Sequence, residues 1–249
     1  MSSGYEGFEA SWHDLFWEAE DAPSELPLLE GFLRGKEGKC LYVGSGSGRL
    51  LGPLVAAGHE VLGLECSPEM AKLSRKNFPD AGVLEQEWQK HEGEYSAIVI
   101  PAFTFQLFPD PQKQLQRLRE QTNHLYLTLF FPWAEISGDL PQNEWYFDRE
   151  VDLLGGRSGK LETRHKIKEQ TGSLVRKHRY TLKDASGDAL KREETEQRLR
   201  FFTDATLKNL LKKTGWEITK EINNLGEGDE DDLVYVATLY LRRPFSSLR

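Results

Sequence analysis

The chain has 249 residues, of which 38% are hydrophobic and 29% are charged. This composition can fill a buried core, which excludes wholesale disorder. The 40 acidic and 32 basic residues give a formal net charge of −8. We therefore expect no broad binding to nucleic acid or to an anionic membrane, because both depend on a basic surface. The length fits one large domain, or a domain with a sizeable insertion.

The two cysteines, Cys40 and Cys66, both stand in segments that we interpret as buried strand. We expect two reduced thiols rather than a disulfide framework. The first 20 residues contain neither a basic region nor an apolar run of the kind found in secretory signals. The most apolar stretch, residues 125–133, is shorter than the roughly 20 residues that a membrane-spanning helix needs. These features predict a cytoplasmic protein.

The first half of the chain alternates short apolar runs with amphipathic stretches, which is the pattern of an α/β fold with a parallel sheet. The predicted strands cover residues 39–43, 60–64, 82–84, 97–100 and 124–130. Helices are predicted over residues 49–57, from Ser67 onward, and over about 110–121. Ser67 suits the N-cap of its helix, since a serine hydroxyl can accept a hydrogen bond from a backbone N–H of the first turn. Pro68 suits the first helical position, where its missing N–H loses no hydrogen bond.

The pattern changes after residue 131. Within residues 145–202, side chains alternate with a period of two, and turn clusters interrupt this alternation. The pattern is typical of a meander of antiparallel strands. A helix over 205–214 and two strands, 216–222 and 233–241, follow the meander, with the acidic loop 226–232 between the two strands. Because the meander stands between βα units, we interpret it as a lid on the edge of the sheet where open α/β folds bind ligands.

The strongest signal for function is Val43-Gly44-Ser45-Gly46-Ser47-Gly48-Arg49, which follows the first strand and opens a helix. Glycines let a ligand approach the main chain closely, and the backbone N–H groups of such a turn can face a polar or anionic group. Glu65 ends the second strand, where a carboxylate can accept hydrogen bonds from both hydroxyls of a ribose. The dinucleotide motif G-x-G-x-x-G would need glycine at position 49, where this chain has arginine.

This arrangement resembles the class I S-adenosylmethionine-dependent methyltransferases, and the resemblance covers most of the chain. The segments similar to the family's first motif, second motif, fourth strand and cofactor-facing loop are residues 43–49, 64–70, 94–101 and 101–106. Residues 200–203, together with the helix and Gly215-Trp216 after them, resemble the late segment of a small-molecule branch. That branch includes glycine N-methyltransferase and amino-sugar N-methyltransferases, and it carries a similar antiparallel insertion over the active site.

The resemblance implies a fold and a division of the chain. The fold is a Rossmann-like, doubly wound sheet of seven strands, the last of them antiparallel, with an antiparallel β insertion that acts as a lid. The implied parts are an N-terminal helical cap (1–35), a cofactor-binding domain (36–135 and 200–249) and the insertion (136–199), which forms the lid and substrate region.

S-Adenosylmethionine is the implied cofactor, with S-adenosylhomocysteine as its product. The cofactor-binding residues that the resemblance implies are Gly44, Ser45, Gly46, Gly48, Arg49, Glu65, Cys66, Ser67, Met70, Glu87, Trp88, Pro101 and Phe103. We expect Glu87 or Gln86 to accept a hydrogen bond from adenine, with Trp88 as an apolar wall. The alternative interpretation of this segment is a solvated acidic turn. Cys66 is expected to line the adenosine pocket as a small apolar side chain.

One position departs from the family's pattern. The family usually has an acidic residue two places before the first glycine, where it helps to order the loop near the methionine moiety, and here that place is taken by Tyr42. Either another residue takes over this task or the cofactor binds weakly.

The N-terminal segment is rich in aromatic residues, which attract cations such as a sulfonium or an alkylamine. These residues are Tyr5, Phe8, Trp12, Phe16 and Trp17. We expect Tyr5 to contact the methionyl carboxylate or the methyl acceptor, and Trp17 to contact the acceptor. The alternative is core packing, because spacings of three and four put Phe8, Trp12 and Phe16 on one helical face.

The insertion supplies the remaining candidates for the acceptor site. Period-two alternation places Arg176, His178 and Tyr180 on one face of a strand, with Lys177 and Arg179 on the other. We expect one face of this strand to line the active-site cleft. The alternative for each residue is a solvent-exposed position on the sheet. The candidate catalytic residues are thus Tyr5, His165 and His178, and the candidate substrate-binding residues are Trp17, Gln106, Arg179 and Tyr180.

These features predict methyl transfer to a small-molecule acceptor, with nitrogen favoured over oxygen or sulfur. Residues 100–103, Ile-Pro-Ala-Phe, differ from the Asp/Asn-Pro-Pro-Tyr/Phe tetrad of enzymes that methylate amide or adenine nitrogens, which disfavours nucleic-acid substrates. The alternatives are methylation of a protein or peptide side chain, and a non-catalytic binding module. No metal site is expected, because paired cysteines and zinc-type histidine spacings are absent from the sequence. We expect no nucleic-acid or membrane partner, and the edges of the meander could support a homodimer.

Overall fold

A computed structural model describes residues 5–17, 25–223 and 235–243. The strands in these residues are β1 (Cys40–Val43), β2 (Val61–Glu65), β3 (Val83–Glu85), β4 (Ala97–Ile100), β5 (His124–Phe131), β6 (Tyr146–Leu153), β7 (Arg157–Lys168), β8 (Ser173–Lys183), β9 (Ala189–Arg200), β10 (Glu217–Asn223) and β11 (Tyr235–Arg242). The α-helices are α1 (Gly7–Ser11), α2 (His13–Trp17), α3 (Leu26–Leu33), α4 (Leu51–Ala56), α5 (Pro68–Asn77), α6 (Pro111–Gln121), α7 (Trp133–Ser137) and α8 (Asp204–Thr214). No helix among them combines the length and the apolar character that crossing a membrane requires.

Seven strands form one sheet in the order β10-β11-β5-β4-β1-β2-β3. The five strands from β5 to β3 are parallel, and β11 runs antiparallel to both of its neighbours. Every residue of β1 and β4 is buried, which explains their continuous apolar sequences, because helices cover both faces of a parallel sheet. The predicted Rossmann-like fold is confirmed. The chain reverses its direction of winding between β1 and β4, where such folds place their ligands.

Local sequence explains where the helices around this reversal begin. The hydroxyl of Ser67 accepts a hydrogen bond from Met70 N at 3.2 Å and so caps α5, with Pro68 at the first helical position. This confirms the predicted cap. Asp110 and Thr203 cap α6 and α8 in the same way. The glycine turn takes up two more residues than predicted, since α4 begins at Leu51 rather than at Arg49.

The other four strands form an antiparallel sheet in the order β6-β7-β8-β9. This is the predicted insertion, and we call it the lid sheet. It packs on the end of β5 through a cluster of Phe130, Leu174, Leu199 and Phe201. The boundaries that we drew between the cap, the cofactor-binding domain and the insertion stay predictions. The acidic loop 226–232 lies outside the described residues.

Candidate active site

The turn after β1 is built on three glycines with positive φ angles, +73° at Gly44, +55° at Gly46 and +88° at Gly48. A residue with a side chain would be strained there. A Cβ atom at Gly44 would also lie 2.4 Å from Cγ2 of Thr104. At Gly46 a Cβ atom would meet, among the described residues, only Cε of Met70, at 3.5 Å. Gly46 is therefore the point of the turn that leaves space for a ligand.

The first three amides of this turn are used within the protein. Gly44 N and Ser45 N donate to Leu64 O at 2.8 and 3.2 Å, and Gly46 N donates to Oε2 of Glu65 at 2.9 Å. The prediction that these N–H groups face a ligand is therefore wrong for this conformation, because the end of β2 offers closer acceptors. The turn contributes its shape, and it helps to position Glu65.

Glu65 stands at the end of β2 with only 7% of its surface exposed. Besides the bond from Gly46, its Oε1 accepts a hydrogen bond from Ser67 N at 2.8 Å. The Cys66 thiol also hydrogen-bonds to this carboxylate. An ionised carboxylate has about four lone-pair sites, so capacity remains for one ribose hydroxyl, and a second hydroxyl can replace the weakly donating thiol.

Two other predicted cofactor residues lie beside Glu65. Met70 is buried against Gly46. Cys66 is exposed, which corrects our interpretation of it as a buried strand residue, since β2 ends one residue earlier. Partial desolvation and the neighbouring Glu65 raise the pKa of the Cys66 thiol to about 11. The thiol stays protonated near neutral pH and is a poor nucleophile.

The polar side chains of the glycine turn point in different directions. Ser47 Oγ donates to Oδ1 of Asp14 at 2.6 Å, which ties α2 to the turn. Ser45 is 4% exposed, and its hydroxyl has no hydrogen-bond partner among the described residues. Arg49 is half-buried. Burial raises the pKa of Glu25, and the positive charge of Arg49 partly opposes this shift. The same charge adds to the hydrogen bonds from His13 and Ser47 that lower the pKa of Asp14.

Of the residues predicted to lie at the adenine, Glu87 is exposed and Trp88 is buried. Glu87 is exposed and pairs with Lys90 at 3.3 Å, as the solvated-turn interpretation expects. Trp88 is 3% exposed, its Nε1 donates to Gln114 at 2.9 Å, and its ring stacks on Phe108. The indole thus packs in the core beneath the sheet, which accounts for its burial without an adenine.

The loop after β4 lies against the glycine turn. Pro101 is buried, and the two residues that follow it adopt left-handed conformations, with φ of +50° at Ala102 and +63° at Phe103. Such conformations are strained for residues with side chains and persist only where the surroundings hold them. Thr104 closes on Gly44, and the ring of Phe103 lies 5.0 Å from that of Phe130.

The N-terminal segment crosses this end of the sheet. Ser67 Oγ donates to the carbonyl of Tyr5 at 2.7 Å, and Gly7 N donates to Oε2 of Glu69 at 2.9 Å. Burial and the carboxylate of Glu9 raise the pKa of Tyr5 to about 12, while a hydrogen bond with Gln197 opposes the shift. Tyr5 therefore stands between Glu65 on one side and the lid sheet on the other.

The other aromatic residues of this segment pack as core, as the alternative interpretation expects. Trp12 and Phe16 are buried with Leu161 and Tyr180, and Phe8 stacks on Trp12. The side chain of Trp17 lies outside the part of the chain that is described, so its predicted contact stays untested.

The register of the lid sheet decides which of its residues face inward. His165, Thr163 and Leu161 of β7 stand opposite Arg176, His178 and Tyr180 of β8, and opposed residues share one face. This face meets the N-terminal segment and the end of β5. Tyr180 packs on Trp12 and Phe16, and Arg176 pairs with buried Glu135 and lies over Phe130.

Arg179 takes the opposite face. It bonds to Glu194 at 2.9 Å and stacks on Trp145 with 3.9 Å to the ring centroid. The predictions that Arg179 and Tyr180 both contact the acceptor cannot hold together, because successive strand residues point to opposite sides. The inward face belongs to Tyr180, so we remove Arg179 from the site.

Both predicted histidines lie on the inward face and are uncharged near neutral pH. Desolvation lowers the pKa of His178 to about 4. Its Nδ1 lies 3.1 Å from Oγ1 of Thr163, which donates to Asp148 at 2.7 Å. His165 is 1% exposed, neither ring nitrogen has a hydrogen-bond partner among the described residues, and burial lowers its pKa. No group of three or more metal-ligating side chains was found in the described part of the chain.

A model of the family described as methyltransferase domain matches residues 11–221. This chain belongs to that family. No curated protein sequence matches the chain, but solved methyltransferase structures share its fold. An S-adenosylmethionine-dependent methyltransferase from Clostridium acetobutylicum is 11% identical with a TM-score of 0.72, over 94% of this chain and 97% of that one. The predicted resemblance is confirmed.

Two further structures resemble this methyltransferase over nearly their whole length. A sugar N-methyltransferase from a Streptoalloteichus species is 18% identical with a TM-score of 0.66, and 93% of each chain is covered. An amino pentose methyltransferase from Micromonospora echinaspora is 18% identical with a TM-score of 0.63, over 91% of this chain and 94% of that one. The similarity includes the length of the insertion, since little of either chain is left uncovered.

The structure adds polar residues to the methyltransferase site that the sequence did not reveal. Glu9 is 3% exposed, and its carboxylate accepts hydrogen bonds from Tyr5 N at 3.2 Å and from Gln197 Nε2 at 3.0 Å. Buried Glu135 holds Arg176. Each lies in a segment that is far along the chain from its partner, and the sequence has no local pattern that would pair them.

Gln106, predicted to bind the acceptor, uses its side-chain amide for hydrogen bonds within the methyltransferase. It is 1% exposed, its Nε2 donates to the carbonyls of Phe130 and Arg200, and its Oε1 accepts from Phe130 N at 2.8 Å. The side chain thus joins the loop after β4 to β5 and to the end of the lid sheet. Both amide hydrogens are therefore used, and the burial of the side chain keeps its oxygen away from an acceptor.

Gln106→Ala is expected to lower the free energy of unfolding by about 2–4 kcal/mol, because buried backbone groups lose their partners. Urea denaturation monitored by circular dichroism measures this change. Gln112→Ala, at an exposed position of α6, is the matched control and should change little. Wild-type stability with a raised KM for the acceptor would restore Gln106 to the substrate site.

Proposed function

We propose that this methyltransferase uses S-adenosylmethionine to methylate an amino group of a small molecule. The adenosyl end would lie over Gly46, with its ribose on Glu65. The acceptor would lie between Tyr5, Glu9 and the inward face of the lid sheet. We place the protein in the cytoplasm, because its two cysteines, Cys40 and Cys66, are too few for the disulfide framework of a small secreted domain.

The residues at the mouth of the crevice fit this cofactor. Glu65 keeps acceptor capacity for the ribose beside its bonds to Gly46 and Ser67, and the turn is open only at Gly46 among its three glycines. When bound, S-adenosylmethionine supplies a methyl group on a positively charged sulfur. The protein's task is to hold the acceptor atom in line with that methyl carbon, about 3–3.5 Å away.

The observation that carries the preference for nitrogen is the low pKa of His178, about 4. A hydroxyl acceptor needs a general base with a pKa near the working pH, and both inward-facing histidines have lowered pKa values. A neutral amine brings its own lone pair and needs only to be oriented. Neutral His178 can help to orient the amine, while Thr163 and Gln197 hold the imidazole in place.

The buried charges favour a basic acceptor as well. Glu9 places a carboxylate beside Tyr5 and Gln197, and a protonated or partly charged amine would offset the cost of burying it. The similarity to the sugar N-methyltransferase and to the amino pentose methyltransferase supports an amino sugar or a comparable small amine.

The test is a screen of small amines, thiols and hydroxy compounds for release of S-adenosylhomocysteine. We expect turnover with an amine, and a rate that rises with pH as the acceptor's own ammonium group loses its proton. His178→Ala should raise the KM for that amine without shifting the pH profile, because His178 stays neutral throughout. Turnover confined to hydroxy compounds would contradict the assignment to nitrogen. A protein that binds neither S-adenosylmethionine nor S-adenosylhomocysteine would be a non-catalytic module.

A further inference from the structure

Glu25 is a buried carboxylate beside β5 and the loop that follows β4. It immediately precedes α3 and is 8% exposed. Its Oε1 accepts hydrogen bonds from the hydroxyls of Tyr126, at 3.0 Å, and Thr128. Its Oε2 accepts one from Ala102 N at 3.3 Å. Three elements thus fix the carboxylate: α3 carries it, and β5 and the loop after β4 bind it.

The charge of Glu25 is held in place but not neutralised. All three donors are uncharged groups, and none of the ion pairs among the described residues includes Glu25. Burial raises the pKa of this carboxyl, and the hydrogen bonds from Thr128, Tyr126 and Ala102, together with the more weakly acting charge of Arg49, only partly oppose the shift. A buried anion that lacks a directly paired cation is unfavourable on its own and gains from a cationic ligand.

Glu25 also lies where the usual acidic residue of the first motif is missing. Tyr42, which occupies that place, is 3% exposed. Burial raises the pKa of its hydroxyl, the charge of Glu25 adds to that rise, and the charge of Arg49 opposes it. The amide that binds Glu25 belongs to left-handed Ala102. Two residues further on, Thr104 closes on Gly44. The carboxylate is therefore linked to the glycine turn through the loop after β4, which binds Glu25 at Ala102 and contacts Gly44 at Thr104.

The sheet order relates Glu25 to the ribose site. Glu65 ends β2, and the loop bound to Glu25 follows β4, with β1 between them. Neighbouring strands are about 4.8 Å apart, so the ends of β2 and β4 stand about 10 Å from each other. A ligand whose ribose lies on Glu65 and whose tail extends over β1 would bring that tail to Glu25.

We propose that Glu25 binds the α-ammonium group of the cofactor's methionyl moiety. This inference rests on the proposed function, since it assumes an adenosyl ligand on Glu65. The hydrogen bond to Ala102 gives Glu25 a second effect, because it stabilises the strained backbone next to the glycine turn. Glu25 acts as a cofactor-positioning residue.

The test compares two ligands that differ in the tail. Glu25→Gln keeps the shape of the side chain and removes its charge. It should raise the Kd for S-adenosylhomocysteine by about tenfold to one hundredfold, the range expected when a charged hydrogen bond is lost. The Kd for 5′-methylthioadenosine, which lacks the amino-acid tail, should stay within about twofold of wild type, a change that corresponds to less than half a kcal/mol. Titration calorimetry measures both constants.

Two further variants complete the experiment. Glu37→Gln removes an exposed carboxylate shortly after α3 and should leave both constants unchanged. Glu25→Asp keeps the charge and should lose less affinity for S-adenosylhomocysteine than Glu25→Gln. It also serves as the test variant if Glu25→Gln does not fold, and it should then still weaken binding of S-adenosylhomocysteine more than binding of 5′-methylthioadenosine.

The outcomes separate this inference from the proposed function. Equal losses for both ligands, or no loss for either, would overturn the assignment of Glu25 while leaving S-adenosylmethionine as the cofactor. A wild-type protein that binds neither ligand would overturn the proposed function and this inference with it.

Discussion

Glu65→Ala is expected to raise the Kd for S-adenosylhomocysteine at least tenfold. The substitution removes the acceptor for two ribose hydroxyls, and each hydrogen bond to a charged group contributes about 1.5–3 kcal/mol. It also frees the amides of Gly46 and Ser67, which now bind the carboxylate at 2.9 and 2.8 Å. The turn then loses the contact that fixes it to the end of β2. Titration calorimetry at constant pH and salt measures the change.

Glu85→Ala is the control for this experiment. Glu85 pairs with Glu65 in the strand register between β2 and β3, but it is exposed and bonds to Arg75. Its removal should leave the Kd unchanged. If Glu65→Ala binds as tightly as wild type, Glu65 does not belong to the cofactor site.

Gly46→Val is expected to abolish cofactor binding while the protein stays folded. Gly46 has a φ of +55°, and its Cβ position is open on the ligand side of the turn. A valine there would fill the space over which the adenosyl group must lie. Titration calorimetry measures binding, and circular dichroism checks the fold.

Gly58→Val separates steric blocking from backbone strain. Gly58 also has a positive φ, +89°, and a Cβ atom there would meet nothing within 4 Å. Both substitutions carry a similar strain of about 1–3 kcal/mol, so both should lose comparable stability. Only Gly46→Val should lose binding, and equal binding by the two variants would show that the turn is not the cofactor cradle.

The sequence was sufficient to predict the sheet, because its strands are short, apolar and separated by helices with recognisable caps. Ser67 with Pro68 and the run of glycines after β1 are local signals, since capping and positive φ depend on a few neighbouring residues. Period-two alternation likewise indicated the antiparallel meander that forms the lid sheet. It left open which face turns inward, because that depends on what the sheet packs against.

The polar residues of the site were harder to predict, because their roles depend on partners far along the chain. Glu25 bonds to Tyr126 and Thr128 about one hundred residues later, and Glu9 bonds to Gln197. Without those partners, a glutamate beside a helix is indistinguishable from a solvated one. Long-range contacts of this kind have no periodicity in the sequence.

The same reason explains the predictions that placed a side chain at a ligand where the structure gives it other partners. Trp88 and Gln106 follow the right strands for ligand contacts, but both turn into the protein and use their polar atoms there. Strand order predicted which loops lie near the ligand. It did not predict the direction of each side chain within a loop.

The most direct test of the account is a crystal structure of the protein grown with S-adenosylhomocysteine. We predict the adenosyl group over Gly46, with both ribose hydroxyls within about 3.2 Å of the Glu65 carboxylate. A ligand bound elsewhere, or a crevice that contains no ligand although the protein was saturated with it, would contradict the account.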